Sequence, residues 1–252
     1  RGSQLDSKKF IRTKQKQASI IIPALLARKS LDAKEILSEL DSVEKQRPNR
    51  FTGRANWIHN NFIGCYLQLY EPYARICPFY AGYSTFIHLS RGNLRHFLEL
   101  CYKSLTRAAS DSAVSTPRVD PKKQAEAARQ ASASFLGEIR SFGRRGEQLY
   151  IFTLRLGALF GLAHSRPSQS EPEQNHFSVT RGTEDLTIED GLLITEALKW
   201  SVIFEEPATK RKDLSLPDAV EYVLNPIYAP YFYLSYRKRR KLELSSDELI
   251  CL

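Results

Sequence analysis

Apolar residues recur at helical spacing through most of this chain, and strand-like runs are short. Between residues 32 and 46, Ile36, Leu37, Leu40 and Val43 form one stripe, with Asp32 and Glu35 at capping-box spacing and Pro48 beyond the end. Ile58, Phe62, Cys65 and Leu69 repeat the pattern over 55–70. A short helix at 84–89 leads to Gly92-Asn93, where Asn93 suits an N-cap. Beyond it, Leu94, Phe97, Leu98, Cys101 and Leu105 fall at i, i+3, i+4, i+7 and i+11. This spacing predicts a helix in which Leu94, Phe97, Leu98 and Cys101 are buried together. Later helices are expected at 124–140 (inner residues Phe135, Leu136, Ile139), at 149–164 (Phe152, Leu156, Leu159, Phe160, Ala163) and at 188–204 (Leu192, Leu193, Ala197, Trp200). Runs at 19–23, 175–180 and 231–236 suit strands, and Pro23 suits the start of a helix reaching 28.

These elements predict a mainly α fold in two parts. Residues 1–17 read as a polar, basic lead-in and 18–107 as a helical domain. The polar, proline-bearing stretch 108–123 reads as a linker. Residues 124–252 read as a helical domain with a small β element, compatible with a winged helix. The aromatics crowded between 51 and 83 are expected to be core rather than a platform for stacking bases. Gly157 and Gly161 permit close backbone approach on the 149–164 helix.

Composition changes the picture in three respects. With 252 residues, 42% of them hydrophobic, the chain has material for a sizeable folded core. It has no apolar run of membrane-spanning length and no secretory signal, so a cytoplasmic chain without a membrane partner is expected. Cys65, Cys77, Cys101 and Cys251 show no C-x-x-C spacing, and the five histidines show no H-x3-H or H-E-x-x-H spacing. No metal site is expected, and reduced thiols fit better than disulfides. The net charge of +9 is dense at 8–16 and at 237–241, which favours nucleic acid, an acidic membrane surface or an acidic partner. The chain begins Arg-Gly-Ser and contains no methionine, which reads as a piece of a longer protein.

Arg95 stands in the first turn of the 94–105 helix, where the helix dipole disfavours a cation. It calls for an anionic partner, a carboxylate or a phosphate. The pattern Gly92-Asn93-Leu94-Arg95 at the start of an amphipathic helix resembles the sensor-2 helix in the lid of AAA+ and related STAND ATPases. Residues 50–235 look loosely like the helical and winged-helix region of origin-recognition-type initiators. The resemblance implies that 18–107 is lid-like, that Arg95 and Asn93 serve nucleotide binding, and that ATP is the cofactor. No G-x-x-x-x-G-K-[ST] stretch is present, so the phosphate-cradling core is expected upstream or on a partner chain, within an oligomer. This chain alone is then a regulatory part without ATPase activity. Arg237, Lys238, Arg239, Arg240 and Lys241 are the candidate nucleic-acid contacts.

Two other readings compete. Arg91 and His96 resemble the R-x4–6-H signature of HEPN-type ribonucleases, in which arginine and histidine act on a phosphodiester without metal. Gly92 departs from the polar residue usual after that arginine. A non-catalytic nucleic-acid-binding module is the third reading. A Ser-His-Asp hydrolase is excluded in its elbow form, since G-x-S-x-G is absent. Glu205 and Glu206 read as solvated acids at a helix end.

Overall fold

The computed structural model describes residues 7–11, 14–53, 55–109, 119–166, 173–179, 188–207 and 220–252. The basic lead-in, the linker, the polar stretch 165–187 and the charged stretch 207–216 fall wholly or partly outside them. The chain divides into two compact units, one of Arg1–Tyr73 with Leu162–Glu173, the other of Ala74–Gly161 with Gln174–Leu252. Among the described residues the fold is mainly α with one small mixed sheet, as the periodicity indicates.

The first unit holds helices α1 (Lys16–Leu26), α2 (Ala33–Glu44) and α3 (Trp57–Gln68). Residues 19–22 are helical rather than a strand, and Pro23 lies inside α1. Pro23 removes a helical hydrogen bond, but Ile21, Ile22 and Leu25 are buried on the side facing α3 and α2. Packing decides the local conformation there. Ile36 and Leu40 of α2 meet Phe51, Trp57 and Cys65 in one apolar cluster. Asp32 makes no side-chain cap bond, and the Glu35 side chain pairs with Arg50 instead of reaching back to the helix start. Leu69 is 50% exposed, so the α3 stripe ends a turn early.

In the second unit come α4 (Tyr83–Ser90), α5 (Leu94–Ala109), α6 (Pro121–Glu138) and α7 (Gly146–His164), whose last turn belongs to the first unit. Asp120 caps α6 by accepting from Lys122 N at 2.7 Å, with Pro121 in the first turn. Strand β1 (Gln174–Val179) follows, then α8 (Ile188–Lys199), β2 (Ile203–Glu206), β3 (Glu221–Leu224), the single turn α9 (Ala229–Phe232), β4 (Arg240–Leu244) and α10 (Ser246–Ile250). The sheet runs β2-β3-β1-β4, antiparallel except for the parallel β1/β4 pair.

Three expectations are corrected in this unit. The helix predicted to 204 stops at Lys199: Ser201 takes a left-handed φ of 55°, and residues 203–206 cross to the sheet. Leu192 is exposed, while Ile194 and Ala197 face inward. The run 231–236 is not a strand, because Pro226 and Pro230 start helical turns and Tyr233 closes α9 at φ 54°. Its alternation comes from anchoring, with Tyr233 Oη donating to Arg75 O at 2.9 Å and Tyr80 Oη donating to Leu234 O at 2.8 Å. Lastly, α5 forms as predicted but turns its other face inward. Leu100 and Ser104 are buried, whereas Leu94 is 68% and Leu98 55% exposed.

The reason is α6. Arg107 donates to Gln130 at 3.0 Å and pairs with Glu126 at 3.4 Å, and the His96 ring lies 4.4 Å from Phe135. The side of α5 that carries Arg107 and the His96 ring is therefore the side packed on α6. The close backbone approach foreseen for the two glycines is not what Gly157 and Gly161 serve: a Cβ at Gly157 would meet the Phe232 ring at 2.5 Å, and one at Gly161 nothing within 4 Å.

Candidate functional site

The corner between α4 and α5 is a tight turn. Arg91 and Gly92 both take positive φ, 45° and 79°, and Asn93 N donates to Ser90 O at 2.8 Å. Asn93 then caps α5, its Oδ1 accepting from His96 N at 3.2 Å. A Cβ at Gly92 would meet nothing within 4 Å, so the turn is open on its outer side. A left-handed conformation is uncommon for arginine and costs roughly 1–2 kcal/mol. Arg91 holds it because its side chain is engaged: it pairs with Glu206 at 2.9 Å and lies 4.4 Å over the Phe204 ring.

One turn on, Arg95 points along α5 to α6. Its Nη2 donates to both oxygens of Glu138, at 2.8 and 2.7 Å, and its guanidinium lies 5.3 Å from the Phe135 ring. The anionic partner required by the first-turn cation is therefore Glu138, and not Glu99, which pairs with Lys103 at 3.0 Å. The Arg95 side chain is still 67% exposed. His96 sits behind it against Phe135. Burial, then the Arg95 charge, push this imidazole down to about 4, so it is neutral at pH 7. Arg91 and His96 thus engage different partners, Glu206 on one side and Phe135 on the other.

Glu206 leads into a charged network that the spacing of residues did not reveal. In the β2/β3 register Glu206 stands directly opposite Glu221. Lys238 bridges them, its Nζ 3.3 Å from Glu206 and 2.6 Å from Glu221. His176 Nε2 lies 3.5 Å from Glu221. Burial opposes both carboxylates, but the bonds from Arg91 and Lys238 to Glu206, and from Lys238 to Glu221, hold each below the usual range. Burial also pushes His176 down to about 4, against the pull of Glu221. Glu206 is therefore no solvated helix-end acid. Its partners lie up to 115 positions away in the chain, a pairing that no local motif announces.

The basic stretch 237–241 divides accordingly. Lys238 is spent on the two glutamates, and Lys241 pairs with Glu243 at 3.2 Å. Arg237 and Arg240 are exposed, and Arg239 is half-buried. Asn175 fixes this stretch by donating to Ser235 O at 3.0 Å and to Arg237 O, and by accepting from Arg239 N at 2.8 Å.

Among the described residues no group of His, Cys, Asp and Glu could hold a metal ion, and no helix is long and apolar enough to cross a membrane. None of the four cysteines is in a disulfide, and burial raises the Cys65 and Cys77 thiols to about 11, which disfavours the reactive thiolate.

Comparison with curated proteins and with solved structures found no match. The model of the ORC-CDC6-like family, by contrast, matches residues 2–244. The chain that carries this glycine-asparagine corner, its exposed first-turn arginine and the sheet-bound Arg91 therefore belongs to the ORC-CDC6-like family, which is related to AAA+ ATPases.

Proposed function

We propose that this chain is the lid and C-terminal regulatory part of a nucleotide-dependent AAA+/STAND switch, with Arg95 as its phosphate sensor and an ATPase core outside residues 1–252. The observation that carries the reading is Arg95 itself, a first-turn cation still 67% exposed and held by one nitrogen to one carboxylate. An exposed ion pair of this kind contributes about 0–1 kcal/mol. A phosphate carries more charge and more acceptor oxygens than one carboxylate, so it competes with Glu138 for this guanidinium. Asn93 and the open turn at Gly92 leave room for an anion beside Arg95. When bound, ATP supplies the charge to which this side chain responds. Family membership supports the ATPase relation, and the lid and sensor roles are our reading of the corner.

The experiment is Arg95→Ala in the assembly with its ATPase core. Nucleotide hydrolysis, or the nucleotide-dependent conformational change, should fall roughly 10- to 100-fold, the equivalent of one charged hydrogen bond. The circular dichroism of the variant should stay unchanged. An assembly indifferent to Arg95→Ala, or hydrolysis by residues 1–252 alone, would defeat the proposal.

The C-terminal half is proposed as a winged-helix-like contact with nucleic acid through the 237–241 stretch, in which Arg237 and Arg240 are exposed. Replacing Arg237 and Arg240 by Gln should weaken duplex binding and reduce the slope of log K against log salt by about 2, near one unit per lost phosphate contact. An unchanged slope removes this stretch from the interface.

A further inference from the structure

We propose that the outward face of α5 is the docking surface for a second copy of this chain, packed as an antiparallel helix pair about a two-fold axis. Leu94, Leu98 and Leu105 on this face are 68%, 55% and 55% exposed, and Tyr102 beside them is 65% exposed. Cys101 lies between them, part-buried and free. Positions 94, 98, 101 and 105 are spaced four, three and four apart, the alternation of d and a positions in a two-stranded helical seam. A second helix at a shallow crossing angle is the partner that such spacing fits.

The seam also complements itself. With the axis crossing between Leu98 and Cys101, an antiparallel partner sets Leu94 against Leu105 and Leu98 against Cys101. The same patch then serves both copies, which a closed two-fold interface requires. Charge does not oppose the approach: Arg95, at the edge of the seam, is paired with Glu138, and Lys103 with Glu99.

The available area favours the same occupant. Tyr83 is 72% exposed and its ring meets Phe97 at 5.8 Å, and Ile87, one turn along α4, is 46% exposed. With the seam these side chains present on the order of 600 Å² of apolar surface, at the upper end for a lone monomer and near the ~800 Å² per partner of a stable interface. This inference goes beyond the nucleotide reading and does not depend on it.

The test is the mass of residues 1–252 in solution, measured by sedimentation from low micromolar to roughly 100 μM. A dimer is expected to form with concentration. Leu98→Glu combined with Leu105→Glu should raise the dimer Kd at least ~100-fold and leave the far-ultraviolet spectrum intact. Leu98→Cys, oxidised, should give a covalent dimer joined to Cys101 of the second copy, and Cys101→Ser should abolish that crosslink. A monomer at every concentration overturns the proposal, as does a dimer that survives the double substitution. Burial of this face by an ATPase core, with no self-association of the chain, assigns it to another occupant and equally overturns the proposal.

Discussion

Leu100→Ala should lower the stability of the second unit by roughly 2–5 kcal/mol, while Leu98→Ala, two residues earlier on the same helix, should cost less than about 1 kcal/mol. Leu100 has no exposed surface, and Leu98 is 55% exposed. Removing three carbons from a packed site loses their transfer free energy and leaves a cavity that rigid neighbours fill only in part. At an exposed site both terms nearly vanish. The pair can be read by urea unfolding followed by circular dichroism, at protein concentrations too low for self-association. Equal costs would mean that α5 is turned about its axis from the orientation described. A large cost at Leu98 alone would restore the orientation predicted from periodicity.

That contrast shows what helical spacing does and does not encode. The spacing of Leu94, Leu98, Cys101 and Leu105 correctly identifies a helix and the residues that share one of its sides. It does not say what covers that side. Where Ile36 and Leu40, or Phe152, Leu156 and Phe160, follow the same rule, the apolar stripe meets a core and is buried. In α5 the inward side carries His96, Leu100, Ser104 and Arg107, with His96 Nδ1 and Ser104 Oγ buried without a hydrogen-bond partner among the described residues. The His96 ring packs on Phe135, and Arg107 reaches Gln130 and Glu126 of α6. Those partners lie 19 to 43 positions on in the sequence, counting also Glu138 for Arg95, beyond the reach of a periodicity argument.

The strands were less legible than the helices for a related reason. Strand β1 is bounded by polar residues and was readable. Ile203 and Phe204 instead continue the apolar spacing of α8, and only the left-handed Ser201 separates them. The run 231–236 alternates like a strand, yet two prolines and a left-handed tyrosine make it a helical turn and an anchor. For the candidate site, the Gly92-Asn93 corner and the odd placement of Arg95 were visible in the sequence. The strain at Arg91 and its cause were not, since Glu206, Phe204 and Lys238 reach the corner only through the fold.

Lys238→Met should be the most damaging single change in the basic stretch, at roughly 3–5 kcal/mol near pH 7. The Lys238 side chain is 19% exposed, and Glu206 and Glu221 are 24% and 7% exposed, so water screens the three charges weakly. Without the ammonium, two carboxylates face each other across β2 and β3, which is costly for like charges directly opposite. Arg91 still holds Glu206, whereas Glu221 loses its 2.6 Å ammonium partner and the His176 beside it is neutral. The dependence on pH should change sign. In the natural chain both carboxyls are held below their usual range, so their stabilisation is full above the unfolded carboxylate pKa and is lost as acid approaches the lowered folded values. In the variant, burial and repulsion from Glu206 raise Glu221 above the unfolded value. Protonating one carboxyl then relieves the repulsion, and stability should rise as pH falls from about 7 towards 5. Combining Lys238→Met with Glu221→Gln should recover much of the loss at pH 7 by the same logic. Urea midpoints at the two pH values, for the variant and the double variant, measure each step. A Lys238→Met protein as stable as the natural chain, weakened only in nucleic-acid binding, would show that this lysine is a phosphate contact and not the brace between two strands.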